Sequence, residues 1–211
     1  MQKIDPRTLW IGLAVSALLI GLTAAFSPLE RTLGERIRLV YFHGAWVWAG
    51  KVTFAAAGLA GLIGLVRGSR LWHRASLALG RTGLFFWLTY LPLSLWIQQI
   101  NWGGIFWDEP RWRIPLMFGI VGLLLQIGLA LIDDFRLSSA ANLVFAIALW
   151  WSLGSIENVL HPDSPIFQSG ALRIQIFFGA LLGLSLIFGT LVARLFDLAA
   201  SAHRTPGTEK A

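Results

Sequence analysis

Four histidines and no cysteine occur in the 211 residues. The absence of thiols excludes thiolate metal ligands, a redox dithiol, an iron–sulfur cluster and covalent haem attachment through C-x-x-C-H. Metal chemistry, if any, falls to imidazole. His43 stands in Tyr41-Phe42-His43-Gly44-Ala45-Trp46, and His161 in Asn158-Val159-Leu160-His161-Pro162-Asp163-Ser164-Pro165. Brought together, two neutral imidazoles can take both axial positions of the iron in a non-covalent haem b. With Asp108, Glu157 or Asp163 they can instead form a two-histidine, one-carboxylate site for free iron. Each also has a simpler reading: His43 can hydrogen-bond a backbone carbonyl, and His161 can be a turn residue held by two prolines. His73 and His203 lie among arginines, where a solvated loop residue is the ordinary expectation.

The elements that must carry these residues are membrane helices. The chain is 56% hydrophobic and 13% charged, and its uncharged stretches reach the ~20 residues needed to cross ~30 Å of hydrocarbon. Six runs qualify: Thr8 to Phe26, Leu39 to Val66, Thr82 to Ile100, Ile114 to Ile132, Ser138 to Ile156 and Ala171 to Leu195. The first is read as an uncleaved helix, its apolar run being long for a signal peptide. The expectation is an all-α, polytopic membrane helix bundle, a single domain over residues 1–211, with six transmembrane helices.

An even number of spans puts both termini on one side. With them lie Lys3, Arg7, Arg67, Arg70, Arg74, Arg81, Arg136, Arg194, Arg204 and Lys210, ten in all. Opposite lie six: Arg31, Arg36, Arg38, Arg111, Arg113 and Arg173. The excess favours cytoplasmic termini and a multi-pass protein of the inner (cell) membrane. The net charge of +6 reflects orientation in a bilayer; no basic face suggests nucleic acid as a partner. Gly58, Gly61 and Gly64, and Gly179 and Gly183, are expected to let helices approach closely.

This topology sends His43 and His161 to the outer face, and most of the eleven tryptophans with them. Trp46, Trp48, Trp96, Trp102, Trp107, Trp112, Trp150 and Trp151 fall there, leaving Trp10, Trp72 and Trp87 near the cytoplasmic face. A symmetrical interfacial belt would not give that split. A flat outer aromatic surface suits the stacking of a large planar ligand, and Arg38, Arg111, Arg113 and Arg173 are placed to pair with propionates. Lys51, deeper in the second span, can line a polar cavity, bind a ligand carboxylate or stay neutral.

At these residues the chain resembles the tryptophan-rich haem-handling family of cytochrome c biogenesis membrane proteins, most closely its six-span cytochrome c maturation protein C (haem exporter protein C) branch. Tyr41 to Trp46 resembles the segment around the family's first histidine, and Asn158 to Pro162 that around the second. Trp102-Gly103-Gly104-Ile105-Phe106-Trp107-Asp108-Glu109-Pro110-Arg111 resembles the tryptophan-rich outer loop, although Ile105 and Phe106 stand where further tryptophans are usual. Ile156 and Glu157 likewise replace a Trp-Trp pair. The resemblance implies a protein that displays haem between His43 and His161 at the outer surface and delivers it, without turnover, to a membrane-anchored haem chaperone. Trp102, Trp107 and Asp108 would be the loop positions that meet haem and chaperone, with Trp46 and Trp112 stacking beside them. Transporter subunits of the cytochrome c maturation pathway would be further partners.

Two other classes compete. A b-type cytochrome or quinol oxidoreductase subunit would bury haem between helices, and a Pro-flanked loop histidine speaks against that. A cofactor-free permease would line a polar path with Lys51, Gln98, Gln99, Gln126 and Asn142, though intramembrane amides also serve as interhelical glue. Phosphate-loop and hydrolase motifs do not occur.

Overall fold

The computed structural model describes residues 5–156, 165–168 and 170–203. Among the described residues it is all-α, with six long helices and one single turn: α1 (Pro6–Ala25), α2 (Ile37–Arg67), α3 (Arg70–Trp102), α4 (Pro110–Ile132), α5 (Phe135–Gly154), α6 (Pro165–Gln168) and α7 (Leu172–His203). Helix ends follow the local chemistry. Asp5 caps α1 by accepting from Arg7 N at 3.3 Å, with Pro6 in the first turn, and Asp134 caps α5 by accepting from Leu137 N at 2.8 Å. Gly68 stops α2 in the left-handed region, φ 61°, where only glycine sits without strain. The links Gly68-Ser69 and Asp133-Asp134 are two residues long, which makes α2–α3 and α4–α5 antiparallel hairpins.

Helix α2 is the central element, packed against α3, α5, α7 and α1. Its glycine stripe explains how. A Cβ on Gly61 would lie 2.5 Å from Ser139 O, on Gly58 2.8 Å from Ala146 Cβ, and on Gly64 2.8 Å from His73 Nδ1. These contacts bring α5 and the start of α3 to within backbone distance of α2, as small residues do between membrane helices. The expectation for Gly179 and Gly183 is corrected: a Cβ on either meets nothing within 4 Å, so that stripe faces outward. Helix α7 approaches instead at Gly189, against Phe86.

Polar glue ties the end of the bundle away from the α3–α4 loop. Asn142 Nδ2 donates to Ser76 O and Oγ at 3.0 and 3.1 Å, and its Oδ1 accepts from Gln126 Nε2 at 3.0 Å. Ser76 Oγ donates to Ala57 O at 2.9 Å. Thus α2, α3, α4 and α5 share one buried network, and Gln126 and Asn142 are structural rather than lining the cavity described below. His73 belongs with them. It is 4% exposed, its Nδ1 2.7 Å from Ser139 Oγ, so the expected solvated histidine is a core residue.

Five helices, α1, α2, α4, α5 and α7, are long and apolar enough to cross a membrane. Helix α3 has ample length but falls short on composition, because His73, Arg74, Arg81, Gln98 and Gln99 interrupt its apolar residues. It packs against α2, α4, α5 and α7, and buries His73, Ser76, Thr82 and Gln98 along with Phe86, Trp87 and Tyr90. A helix covered by other helices need not be apolar all round.

Candidate functional site

A cavity of about 430 Å³ opens between α2, α3, α4, α5 and α7 at the end of the bundle where α2 begins and α3 finishes. Helix α2 contributes Val40, His43, Gly44, Val47, Trp48 and Lys51, a three-and-four spacing that is one helical face. Facing it, α3 contributes Trp87, Tyr90, Ser94, Ile97, Gln98, Asn101 and Trp102. Arg111, Trp112 and Pro115 come from α4, Trp150 and Leu153 from α5, and Phe178 from α7. The volume falls in the range of small-molecule and cofactor sites, and an aromatic wall with few polar groups is their usual lining.

A relay of contacts orients His43. Trp87 Nε1 donates to Pro115 O at 2.9 Å, a carbonyl of α4. Tyr90 meets Trp87 edge-on, centroids 4.9 Å apart, and the His43 ring meets Tyr90 edge-on at 5.6 Å. On the other side, a Cβ on Gly44 would stand 3.1 Å from the Phe178 ring, so glycine there lets α7 close against the histidine's own turn. The imidazole is half-buried, on a rigid helix, facing a planar aromatic space.

The α3–α4 loop forms the rim. Buried Gln98 accepts from Phe106 N through Oε1 at 3.0 Å, pinning the loop to the cavity wall. Trp107 stacks edge-on to Trp112, centroids 5.1 Å apart. Trp112 Nε1 and Asn101 Oδ1 are shielded from solvent and have no hydrogen-bond partner among the described residues. An indole N–H and an amide oxygen left open on the wall of one cavity await a ligand or water. Below the rim of the α1–α2 loop, Leu33 also reaches the wall. Its amide donates to Glu30 Oε2 at 2.9 Å and Thr32 N does so at 2.8 Å. The Leu33 amide, with those of Thr32 and Arg31, holds the exposed Glu30 carboxyl below its ordinary value of 4.5.

The other expected site residues divide. Trp102, Trp112 and Arg111 line the cavity with His43. Trp46 does not: its Nε1 donates to Thr89 Oγ1 at 2.8 Å and its ring packs among Phe42, Phe85, Phe86 and Phe188. Trp107 and Asp108 are exposed on the loop, Asp108 lying 3.9 Å from Arg113 Nη1. Arg38 pairs with Glu35 at 2.9 Å, and Arg173 is exposed at the start of α7. His161, with Glu157 and Asp163, lies outside the described residues, but Ile156 and Ile166, on either side of that segment, both line the cavity. Among the described residues no group of three His, Asp or Glu side chains gathers to hold a metal ion.

Trp48 and Trp150, expected on the outer aromatic surface, are wall residues, and so are Trp87, Tyr90 and Phe178, which sequence reasoning did not assign to the site. The expectation for Trp87 is corrected. Helix α3 begins at Arg70, twelve residues before the apolar run, so Trp87 lies ~25 Å along it. It is 1% exposed, at mid-bundle and not near a surface. The spacing of Val40, His43, Gly44, Val47, Trp48 and Lys51 was the signal that could have found the α2 wall. No family model and no curated protein matches the chain.

Proposed function

We propose that this chain is a haem-binding, haem-delivering membrane protein, with the cavity as its haem site and His43 as one axial ligand. The observation that carries the reading is the placement of His43: a half-buried imidazole on a rigid helix, on the wall of a cavity whose other walls are Trp87, Trp102, Trp112, Trp150 and Phe178. The residues suit the group. Imidazole ligates iron, aromatic rings cover a macrocycle, and Lys51 and Arg111 supply cations for its carboxylates. When bound, haem brings an iron that takes two axial nitrogens. The second is assigned to His161, in the stretch of sequence between Ile156 and Ile166, both of which line the cavity.

In this reading α3 is the sixth span, both termini are cytoplasmic and the cavity opens on the outer face of the inner membrane. Trp102, at the wall, and Trp107 and Asp108, exposed on the rim loop, form the docking surface for a membrane-anchored haem chaperone. Transporter subunits of cytochrome c maturation complete the partners, as the resemblance of these segments to that family implies. An open site at the end of a bundle, with one ligand on a helix and the other in the Pro-flanked sequence around His161, suits a cargo that must leave. The protein therefore has no turnover reaction of its own.

Purification from haem-replete cells tests this. The expected product is coloured, with the spectrum of bis-histidine haem, and His43→Ala loses or converts it. A colourless wild type overturns the reading. A second reading, a b-type electron carrier, draws on the depth of the cavity, which reaches Trp87 at mid-bundle; rapid reduction of the bound haem by quinol would favour it.

A further inference from the structure

One wall of the cavity differs from the others. Along α3, Trp87, Tyr90, Ser94, Gln98 and Asn101 recur at intervals of three and four and so share the face turned to the cavity. From Tyr90 to Asn101 that face runs about 16 Å towards the rim, and it carries four uncharged polar side chains. Across from it, Val40 and Val47 of α2, Leu153 of α5, Ile166 and Phe178 supply aliphatic and aromatic surface. The remaining polar groups are His43 and Lys51 on α2, with Glu109 and Arg111 at the rim.

Two hydroxyls on this wall stand apart. Tyr90 is 3% exposed and Ser94 half-buried. Among the described residues neither hydroxyl has a hydrogen-bond partner, and neither is shielded from solvent as those of Ser27 and Tyr41 are. A tyrosine so enclosed has its hydroxyl open towards the cavity that it lines. Elsewhere in these helices Ser16, Thr53, Thr82, Thr89, Ser185 and Thr190 each donate to the carbonyl four residues earlier at 2.7–2.9 Å, the usual satisfaction of a hydroxyl in a helix. Ser94 makes no such bond to Tyr90 O. Hydroxyls held away from protein partners in an enclosed recess are costly unless something bonds them. A porphyrin offers acceptors at its carboxylates and otherwise an apolar edge, which is too localised for a polar line of this length. Water suits such a line, whereas a purely apolar cavity stays dry.

We propose that water lines the α3 wall to the depth of Trp87 in the unloaded protein, held by the Tyr90 and Ser94 hydroxyls, and that this water sets how readily the cargo leaves. The statement about release rests on the haem reading; the water does not. Giving up a planar ligand exposes the walls that it covered, and water bonded to one of them stabilises that state. A returning ligand displaces the water with an edge that cannot reproduce its hydrogen bonds, which lowers affinity and, at a similar rate of entry, quickens release.

The test has two arms, each comparing wild type with the double variant Tyr90→Phe/Ser94→Ala, which removes the hydroxyls and keeps the rings and the helix. In the first, X-ray radiolysis of the unloaded, detergent-purified full chain makes hydroxyl radicals from water in place, and mass spectrometry reads which side chains they oxidise. Trp87, 1% exposed and on the wall, should be modified several-fold faster than Trp46, which is buried off the cavity. The variant should bring Trp87 down to the level of Trp46. In the second arm, protein loaded with ferric haem is mixed with excess apomyoglobin. The variant should keep the wild-type spectrum and release haem about tenfold more slowly, as expected when a wall group no longer loses its water on binding. Unmodified Trp87 in wild type, or equal modification in the variant, overturns the water line. Faster release from the variant would mean that the hydroxyls bond haem itself, and unchanged release that they do not govern its departure; either overturns the role in release. Wild type that takes up no haem overturns the haem reading and that role with it, while the radiolysis arm still decides the water.

Discussion

The glycine stripe of α2 offers a quantitative test of the fold that places the cavity. In Gly61→Ala the new Cβ would sit 2.5 Å from Ser139 O and 3.2 Å from Ser139 C, with Ser76 Oγ at 3.1 Å. The closest atoms are backbone, so no rotamer change relieves the clash, and α2 and α5 must part by several tenths of an ångström. Overpacking of this kind costs about 1–3 kcal/mol, and a backbone clash belongs to the upper part of that range. Replacing a mid-helix glycine by alanine returns about 0.5–1 kcal/mol of backbone entropy, leaving a net loss of about 1–2 kcal/mol. Gly179→Ala is the control. It sits in α7 with nothing within 4 Å of its Cβ, so it should be neutral or slightly stabilising. Thermal unfolding of both variants in one detergent, followed by helical circular dichroism, separates them. If Gly61→Ala melts with wild type, α2 and α5 do not meet as described.

Asn142→Ala removes bonds to Ser76 and Gln126 at once and strands the buried Gln126 amide; a loss of about 2 kcal/mol is expected in the same melt, with Asn142→Leu/Gln126→Leu recovering part of it. Trp46→Phe loses the bond to Thr89 at about 0.5–1.5 kcal/mol, yet should leave the spectrum of bound haem unchanged, because Trp46 is off the cavity wall; a shifted spectrum would contradict that placement. The Glu30 carboxyl, held below its ordinary value of 4.5, stabilises the α1–α2 loop at neutral pH and loses that contribution as pH falls through its lowered folded value. Hydrogen-exchange protection of the Thr32 and Leu33 amides should drop over that acid window, and Glu30→Gln should show the lower protection already at pH 7. Unchanged protection in both experiments would remove Glu30 as the organiser of that loop.

The architecture was legible because bilayer-length apolar runs are a strong signal, and each long helix carries all or nearly all of one of the six runs. What composition could not show was where helices extend beyond their apolar cores. Helix α3 runs twelve residues before Thr82, which moves Trp87 to mid-bundle and buries His73. The eleven tryptophans read as one outer surface, but they have several destinations. Trp96 and Trp151, 56% and 76% exposed, face outward as a belt would, Trp46 fills the core, and Trp48, Trp102, Trp112 and Trp150 join Trp87 on the cavity wall. Sequence position gives depth in the bundle but only weakly the facing of a residue, since in a membrane helix the sides toward lipid and toward other helices are both largely apolar. The two glycine stripes make the same point: identical in sequence logic, one meets a neighbouring backbone and the other meets nothing. His43 was legible because an ionisable group within an apolar run is costly unless it serves a site, and the same reasoning singled out Lys51.

The central claim is that His43 and His161 share one iron. Electron paramagnetic resonance of the ferric protein, purified with haem, tests it most directly. The account predicts a low-spin, six-coordinate signal in wild type, converted to high spin by either His43→Ala or His161→Ala and restored by added imidazole. A low-spin signal that survives His43→Ala would contradict it.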